Sequence, residues 1–110
     1  MSEHPLQSAL LDGLNKLPGI RAYRNNSGWK GHVAFGLRTT RNENGSPDLV
    51  LCVEGLFVGC ELKDRGKKPT AEQYAWGEAL ERAGGIWIWG DDLKTIVERV
   101  LEIQRSRRAA

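Results

Sequence analysis

Two apolar runs separated by a pair of residues constrain this chain more than any other feature. Leu49–Val53 and Leu56–Leu62 are rich in β-formers, and Glu54-Gly55 lies between them. Such runs, bounded by a turn of this length, read as an antiparallel hairpin, although Glu-Gly is a weaker turn signal than Asn-Gly. Counting outward pairs Val53 with Leu56 and sets Asp48 opposite Glu61. Side chains alternate across a strand, so Glu61 and Lys63 share a face with Asp48 as long as no bulge intervenes. Cys52 and Cys60 then fall on opposite faces, which disfavours a disulfide between them.

The remaining elements surround this hairpin. Leu6, Leu10, Leu14 and Leu17 recur at helical spacing, widened by Ala9 and Leu11, with Ser2 as a cap, Pro5 in the first turn and Pro18-Gly19 as the stop. Ile20 to Asn25 reads as a short strand, and Asn26 to Gly45 as a polar, basic loop in which His32 to Leu37 is a further strand candidate. After a basic loop, Thr70 is placed to cap a helix running to Ala83 and stopped by Gly84-Gly85. Ile86 to Trp89 is a buried strand. Asp91 or Asp92 caps a last helix whose apolar stripe is Leu93, Ile96, Val97, Val100 and Leu101. Helix, strands, helix, strand, helix is the order of an α/β sandwich around a small mixed sheet.

At 110 residues the chain is expected to be a single domain, 1–110. Its 40% apolar and 27% charged composition argues against disorder. The net charge of +2 does not by itself point to nucleic acid; clustering of Lys63, Arg65, Lys67 and Lys68, and of basic residues before Gly45, is more suggestive. No apolar run approaches a membrane span and no signal peptide is recognised. Two cysteines make neither a disulfide framework nor a zinc site, so a reducing, cytoplasmic setting is expected.

Carboxylates opposed across a hairpin stand about 5 Å apart at Cβ and repel unless neutralised. A divalent cation would do this, and all-oxygen ligands favour Mg²⁺ or Mn²⁺ over zinc. The competing interpretation is an ordinary surface strand with Glu61 paired to Lys63. Two features favour the site. Glu61 ends an otherwise uncharged run, and Gly45-Ser46-Pro47 precedes Asp48 as if a turn aimed it.

Pro47-Asp48 followed by Glu61-Leu62-Lys63 resembles the PD-(D/E)XK nuclease motif. Arg24-Asn25-Asn26-Ser27-Gly28, then Pro69-Thr70-Ala71-Glu72-Gln73 with Trp76, and Glu3 ahead of Gln7, resemble more narrowly the VRR-NUC family. The resemblance spans roughly residues 3 to 90, and its ordered set of motifs is more specific than any one of them. Pro5 departs from the acidic residue common at that point. The resemblance implies a restriction-endonuclease-like core in which Asp48, Glu61 and the Leu62 carbonyl hold Mg²⁺, Glu3 adds a metal contact through water, Lys63 stabilises charge and Gln73 positions groups. It further implies a homodimeric endonuclease acting on branched DNA such as four-way junctions.

Several residues carry rival readings. Gln73, three after Thr70, also fits a capping box, and both roles can hold. Ser27 serves either the site or a turn. His4 and His32 read as surface residues, and Trp87 and Trp89 as sheet packing. Arg24, Ser27, Lys30, Arg38, Arg41, Lys67 and Lys68 are the candidate DNA contacts. A binding module without catalysis is the alternative function, distinguished by survival of binding in EDTA and absence of cutting; a nuclease of the same fold acting on flaps or duplex is another.

Overall fold

A computed structural model describes residues 3–25 and 45–110 of the chain. Seven elements follow in order: α1 (Glu3–Leu14), β1 (Ile20–Arg24), β2 (Leu49–Val53), β3 (Leu56–Leu62), α2 (Ala71–Arg82), β4 (Ile86–Gly90) and α3 (Leu93–Ala109). The strand candidate His32 to Leu37 lies outside the described residues.

The strands form one sheet in the order β1-β2-β3-β4. β1, β2 and β3 are antiparallel neighbours, while β4 joins β3 in parallel after the α2 crossover. The hairpin has the expected register, from Val53↔Leu56 out to Leu49↔Cys60. Its turn places both Glu54 (φ 49°) and Gly55 (φ 83°) in the left-handed region, as a turn matched to strand twist requires. Cys52 is exposed and Cys60 buried, both as free thiols.

Alternation along the strands assigns the layers. Leu49, Leu51, Val53, Val58, Cys60, Leu62 and Ile88 join Leu6, Leu10 and Leu14 of α1 and Ile96, Val100 and Ile103 of α3 in one buried core. Each fully buried leucine contributes about 1.5–3 kcal/mol relative to exposure. α2 covers the other face, where Gly77 sits directly against the Trp87 ring and any Cβ would collide with it. Trp87 also packs against Tyr74 in a tilted arrangement with ring centroids 5.4 Å apart, consistent with a packing role.

Two helices differ from expectation. α1 stops at Leu14 instead of reaching Leu17. Asn15 ends it because its amide clamps the edge strand, accepting from Ala22 N–H at 2.7 Å and donating to Ala22 C=O at 2.9 Å. In α3 the buried stripe is Ile96, Val100, Ile103 and Gln104, whereas Leu93 is 37% exposed. The face is turned by Gln104, whose Nε2 donates to Pro18 C=O and Glu54 Oε2, both at 2.8 Å. Of the two possible caps for α3, Asp92 is the one used, accepting from Thr95 N–H; this bond, with that from the Thr95 hydroxyl, holds its carboxyl below the usual carboxylate range.

Candidate active site

The open end of the hairpin, away from Glu54-Gly55, collects the candidate residues. Here the β2–β3 ladder stops at Leu49↔Cys60, and Asp48 lies in a bend immediately before β2. Asp48 therefore does not form the next ladder pair with Glu61. Its Oδ2 instead accepts from the Leu62 N–H at 2.9 Å, standing where a backbone carbonyl of an extended β2 would stand. Both carboxylates nevertheless lie close to Cys60. Burial pushes that thiol up strongly, and the negative charges of Asp48 and Glu61 push it further.

Glu61 is 2% exposed, so its carboxylate is set into the molecule instead of standing on a surface strand. That removes the surface-pair interpretation, since surface pairs keep both partners in water. Its Oε1 accepts from Gln73 Nε2 at 2.9 Å. The same amide turns its oxygen to Lys63, whose Nζ donates to Gln73 Oε1 at 3.3 Å. Gln73 Oε1 also accepts from Thr70 N–H at 2.8 Å, and Thr70 Oγ1 accepts from Gln73 N–H at 3.2 Å, completing a capping box. Gln73 thus closes the capping box while its amide also bonds Glu61 and Lys63. Because Thr70 N–H can only donate, it fixes which end of the amide faces Glu61. The α2 cap therefore orients an acid and a cation from one side chain.

The backbone at Leu62 follows from the ladder. Lys63 N–H donates to Gly90 C=O of β4 at 3.0 Å. The Leu62 carbonyl, on the same peptide, consequently points the other way, toward the β2 side where Asp48 sits. Continuing the antiparallel pattern, residue 47 would supply an N–H to that carbonyl, and Pro47 has none.

The other candidates fall as follows. Lys67 and Lys68 are exposed on the loop after Lys63, which is held by Gly66 N–H to Asp91 Oδ2 at 2.9 Å. Arg24 is exposed at the end of β1 and its guanidinium donates to Gln7 Oε1 (2.6 Å) and Ser8 Oγ (3.4 Å) of α1. Glu3 is the first residue of α1, but its side chain is outside the described set, as are Ser27, Lys30, Arg38, Arg41 and His32. His4 is exposed, as a surface residue should be.

Among the described residues, no group of three or more His, Cys, Asp or Glu side chains is arranged so that it could hold a metal ion. Two carboxylates and a carbonyl are a hard oxygen set, too few for a Ca²⁺ cage and lacking the nitrogen and sulfur that structural zinc uses. They suit an ion such as Mg²⁺, which keeps several waters and takes one or two carboxylates. Asn25 was not singled out by sequence reasoning as a site residue. It donates from its backbone to Asp48 C=O and from Nδ2 to Pro47 C=O, both at 2.9 Å. The sequence signal for it was its place in the Arg24-Asn25-Asn26-Ser27-Gly28 segment, at the end of the expected strand.

A mixed four-stranded sheet between helices, with acids and a lysine at the end of its central hairpin, defines the class of α/β fold. No protein-family model matches the sequence, and no curated protein matches it. Two solved structures do match in fold. One, a "VRR_NUC domain", superposes with a TM-score of 0.63 at 20% identity, covering 91% of this chain and 94% of that one. The other, a "VRR_NUC domain protein", has a TM-score of 0.62 at 14% identity, covering 92% and 86%. The fold is that of the VRR_NUC domain, and the resemblance read from the motifs is borne out at the level of the fold. No helix among the described residues is long and apolar enough to cross a membrane.

Proposed function

We propose that this chain is a metal-dependent, structure-selective DNA endonuclease of the VRR-NUC type, hydrolysing phosphodiester bonds in branched DNA such as four-way junctions. The observation that carries the proposal is the hydrogen-bonded set at the hairpin's open end: Asp48 on the Leu62 backbone, and Glu61 and Lys63 joined through Gln73. Asp48, Glu61 and the Leu62 carbonyl would hold Mg²⁺ or Mn²⁺, with Glu3 as an outer contact through water. When bound, such a cation supplies Lewis acidity toward the phosphate and a lowered pKa for bound water.

The chain's own groups do the rest. Lys63 presents an ammonium where negative charge builds on the phosphoryl oxygens. Gln73 keeps that ammonium and the Glu61 carboxylate in fixed relation. Lys67 and Lys68, on the loop leaving the site, together with Arg24, Ser27, Lys30, Arg38 and Arg41, are the proposed phosphate contacts. Paired cuts across a symmetric junction call for two active sites, hence a homodimer.

Purified protein with Mg²⁺ or Mn²⁺ is expected to cut a labelled four-way junction, to stop in EDTA, and to prefer the junction over flap and duplex controls. Lys63→Ala is expected to bind the junction and leave it intact. Junction binding that survives EDTA, with no cutting under any divalent metal, would replace this reading with a DNA-binding module.

A further inference from the structure

Resting on the proposed metal site, we infer that Asn25 is a positioning residue for Asp48, and that it acts by exchanging one backbone acceptor for a carboxylate. The parity of β2 decides which neighbouring strand each of its residues bonds. Glu54 N–H donates to Gly19 C=O, and Asp48 C=O accepts from Asn25 N–H, so even-numbered residues of this strand bond toward β1. Odd-numbered residues must then bond toward β3, as the hairpin pairs Val53↔Leu56, Leu51↔Val58 and Leu49↔Cys60 require. Residue 47 is next in the odd series. By the same pattern its carbonyl belongs opposite Leu62, as the acceptor for the Leu62 N–H.

It is not used there. Pro47 C=O accepts from Asn25 Nδ2 at 2.9 Å, drawn to the β1 side. The Leu62 N–H, which as a buried donor needs a partner, goes to Asp48 Oδ2 at 2.9 Å. The bond to Asp48 follows from the capture of Pro47: with that carbonyl turned away, the nearest acceptor for Leu62 is the neighbouring carboxylate. One oxygen of Asp48 is thereby committed to a fixed backbone donor, and the other, Oδ1, is the one that would hold a cation together with the Leu62 carbonyl. Asn25 touches neither the cation nor the substrate in this account. The amide is a neutral donor, so it holds the Pro47 carbonyl beside two carboxylates without adding charge.

Trans-hydrogen-bond NMR couplings in ¹⁵N,¹³C-labelled protein, measured with Mn²⁺ affinity by calorimetry, test this. Wild type is expected to couple the Leu62 amide nitrogen to Asp48 Cγ, and Asn25 Nδ2 to the Pro47 carbonyl carbon. Asn25→Ala and the near-isosteric Asn25→Leu both keep the backbone bond to Asp48 and lose the side-chain donor without adding a charge. In each, the Leu62 coupling should leave Asp48 Cγ and Mn²⁺ affinity should fall about tenfold or more, the range for residues that orient a ligand, while the thermal midpoint stays near wild type. A wild-type coupling from Leu62 to the Pro47 carbonyl overturns the inference without any variant. So do variants that retain the Asp48 coupling and wild-type affinity. Wild-type protein with both couplings but no Mn²⁺ binding and no cutting overturns the proposed function itself, and with it the purpose assigned to Asn25, while leaving the exchange of acceptors standing.

Discussion

The two ends of the β2–β3 hairpin carry similar groups and treat them differently. At the turn, Glu54 accepts from Gln104 Nε2 at 2.8 Å and pairs with Arg108 at 2.9 Å, while its own carbonyl accepts from Arg107 Nε at 3.3 Å. That acid lies in a closed network tying α3 to the hairpin. At the open end, Asp48 leans on a backbone N–H and Glu61 on an amide, and the potential of both is felt by the Cys60 thiol. An acid paired with an arginine of another element ties the fold together. At the open end, the donors to Asp48 Oδ2 and Glu61 Oε1 are a backbone N–H and an amide in place of arginines. The left-handed φ of Glu54 fits the same view, since a non-glycine there is strained and is retained where its side chain is held by surroundings.

The largest test of this contrast is catalytic. Asp48→Asn, Glu61→Gln and Lys63→Ala should each lower single-turnover junction cutting by about 10²–10³-fold or more, whereas Glu54→Gln should cut at a rate close to wild type once folded. Comparable losses at both ends would erase the distinction. Stability should run in the opposite direction. In metal-free protein, Glu61→Gln is expected to unfold at or above the wild-type midpoint, because it removes one of two like charges while keeping an oxygen for Gln73 Nε2. Glu54→Gln should unfold below it. A clear loss of stability in Glu61→Gln would show that this carboxylate is a structural acid after all.

Backbone substitutions sharpen the comparison at a smaller scale. Gly55→Ala places a Cβ on a residue with φ 83° and should cost about 1–3 kcal/mol in denaturant unfolding with little effect on the cutting rate of folded protein. Thr70→Ala removes the hydroxyl that caps α2 and should cost about 1 kcal/mol. Unlike Gly55→Ala it should also slow cutting, because the residue that closes the capping box is the one that holds Glu61 and Lys63. If both variants lose stability and neither loses rate, the shared use of Gln73 is refuted.

How far these features could be read from residues alone depends on whether they are local. The hairpin register, the Thr70 cap and the strand around Ile88 were legible because alternation, a turn residue pair and a T-x-x-Q spacing each have one geometric meaning. The α3 face was not: the pattern rewards Leu93, but the packed face includes Gln104, a polar residue buried because Pro18 and Glu54 meet it from elements far away in sequence. The candidate site divides in the same way. The shared face of Asp48, Glu61 and Lys63 could be proposed from spacing and the role of Gln73 from the resemblance; the structure bonds Gln73 to Glu61 and Lys63, and Asp48 to the Leu62 backbone. The bend at Asp48 was missed because it depends on where one proline carbonyl turns, and Asn25, which turns it, is remote in sequence from the hairpin.

The smallest expected effect is acid dependence, and it separates the ends most selectively. The Gln104 hydrogen bond, then those from Arg108, hold the Glu54 carboxyl below its ordinary value of 4.5. A group whose folded pKa is depressed stabilises the native state fully above the unfolded value and loses that contribution as pH falls through the folded one. Wild type should therefore lose its advantage over Glu54→Gln below about pH 4.5, and the two unfolding midpoints should converge as the solution becomes more acidic. Arg108→Ala should reproduce part of this convergence, since it removes the second cause of the shift and leaves the first. A gap between wild type and Glu54→Gln that stays constant from neutral pH to far below 4.5 would mean that Glu54 is held by packing instead of by charge; the closed and open ends of the hairpin would then differ in shape alone.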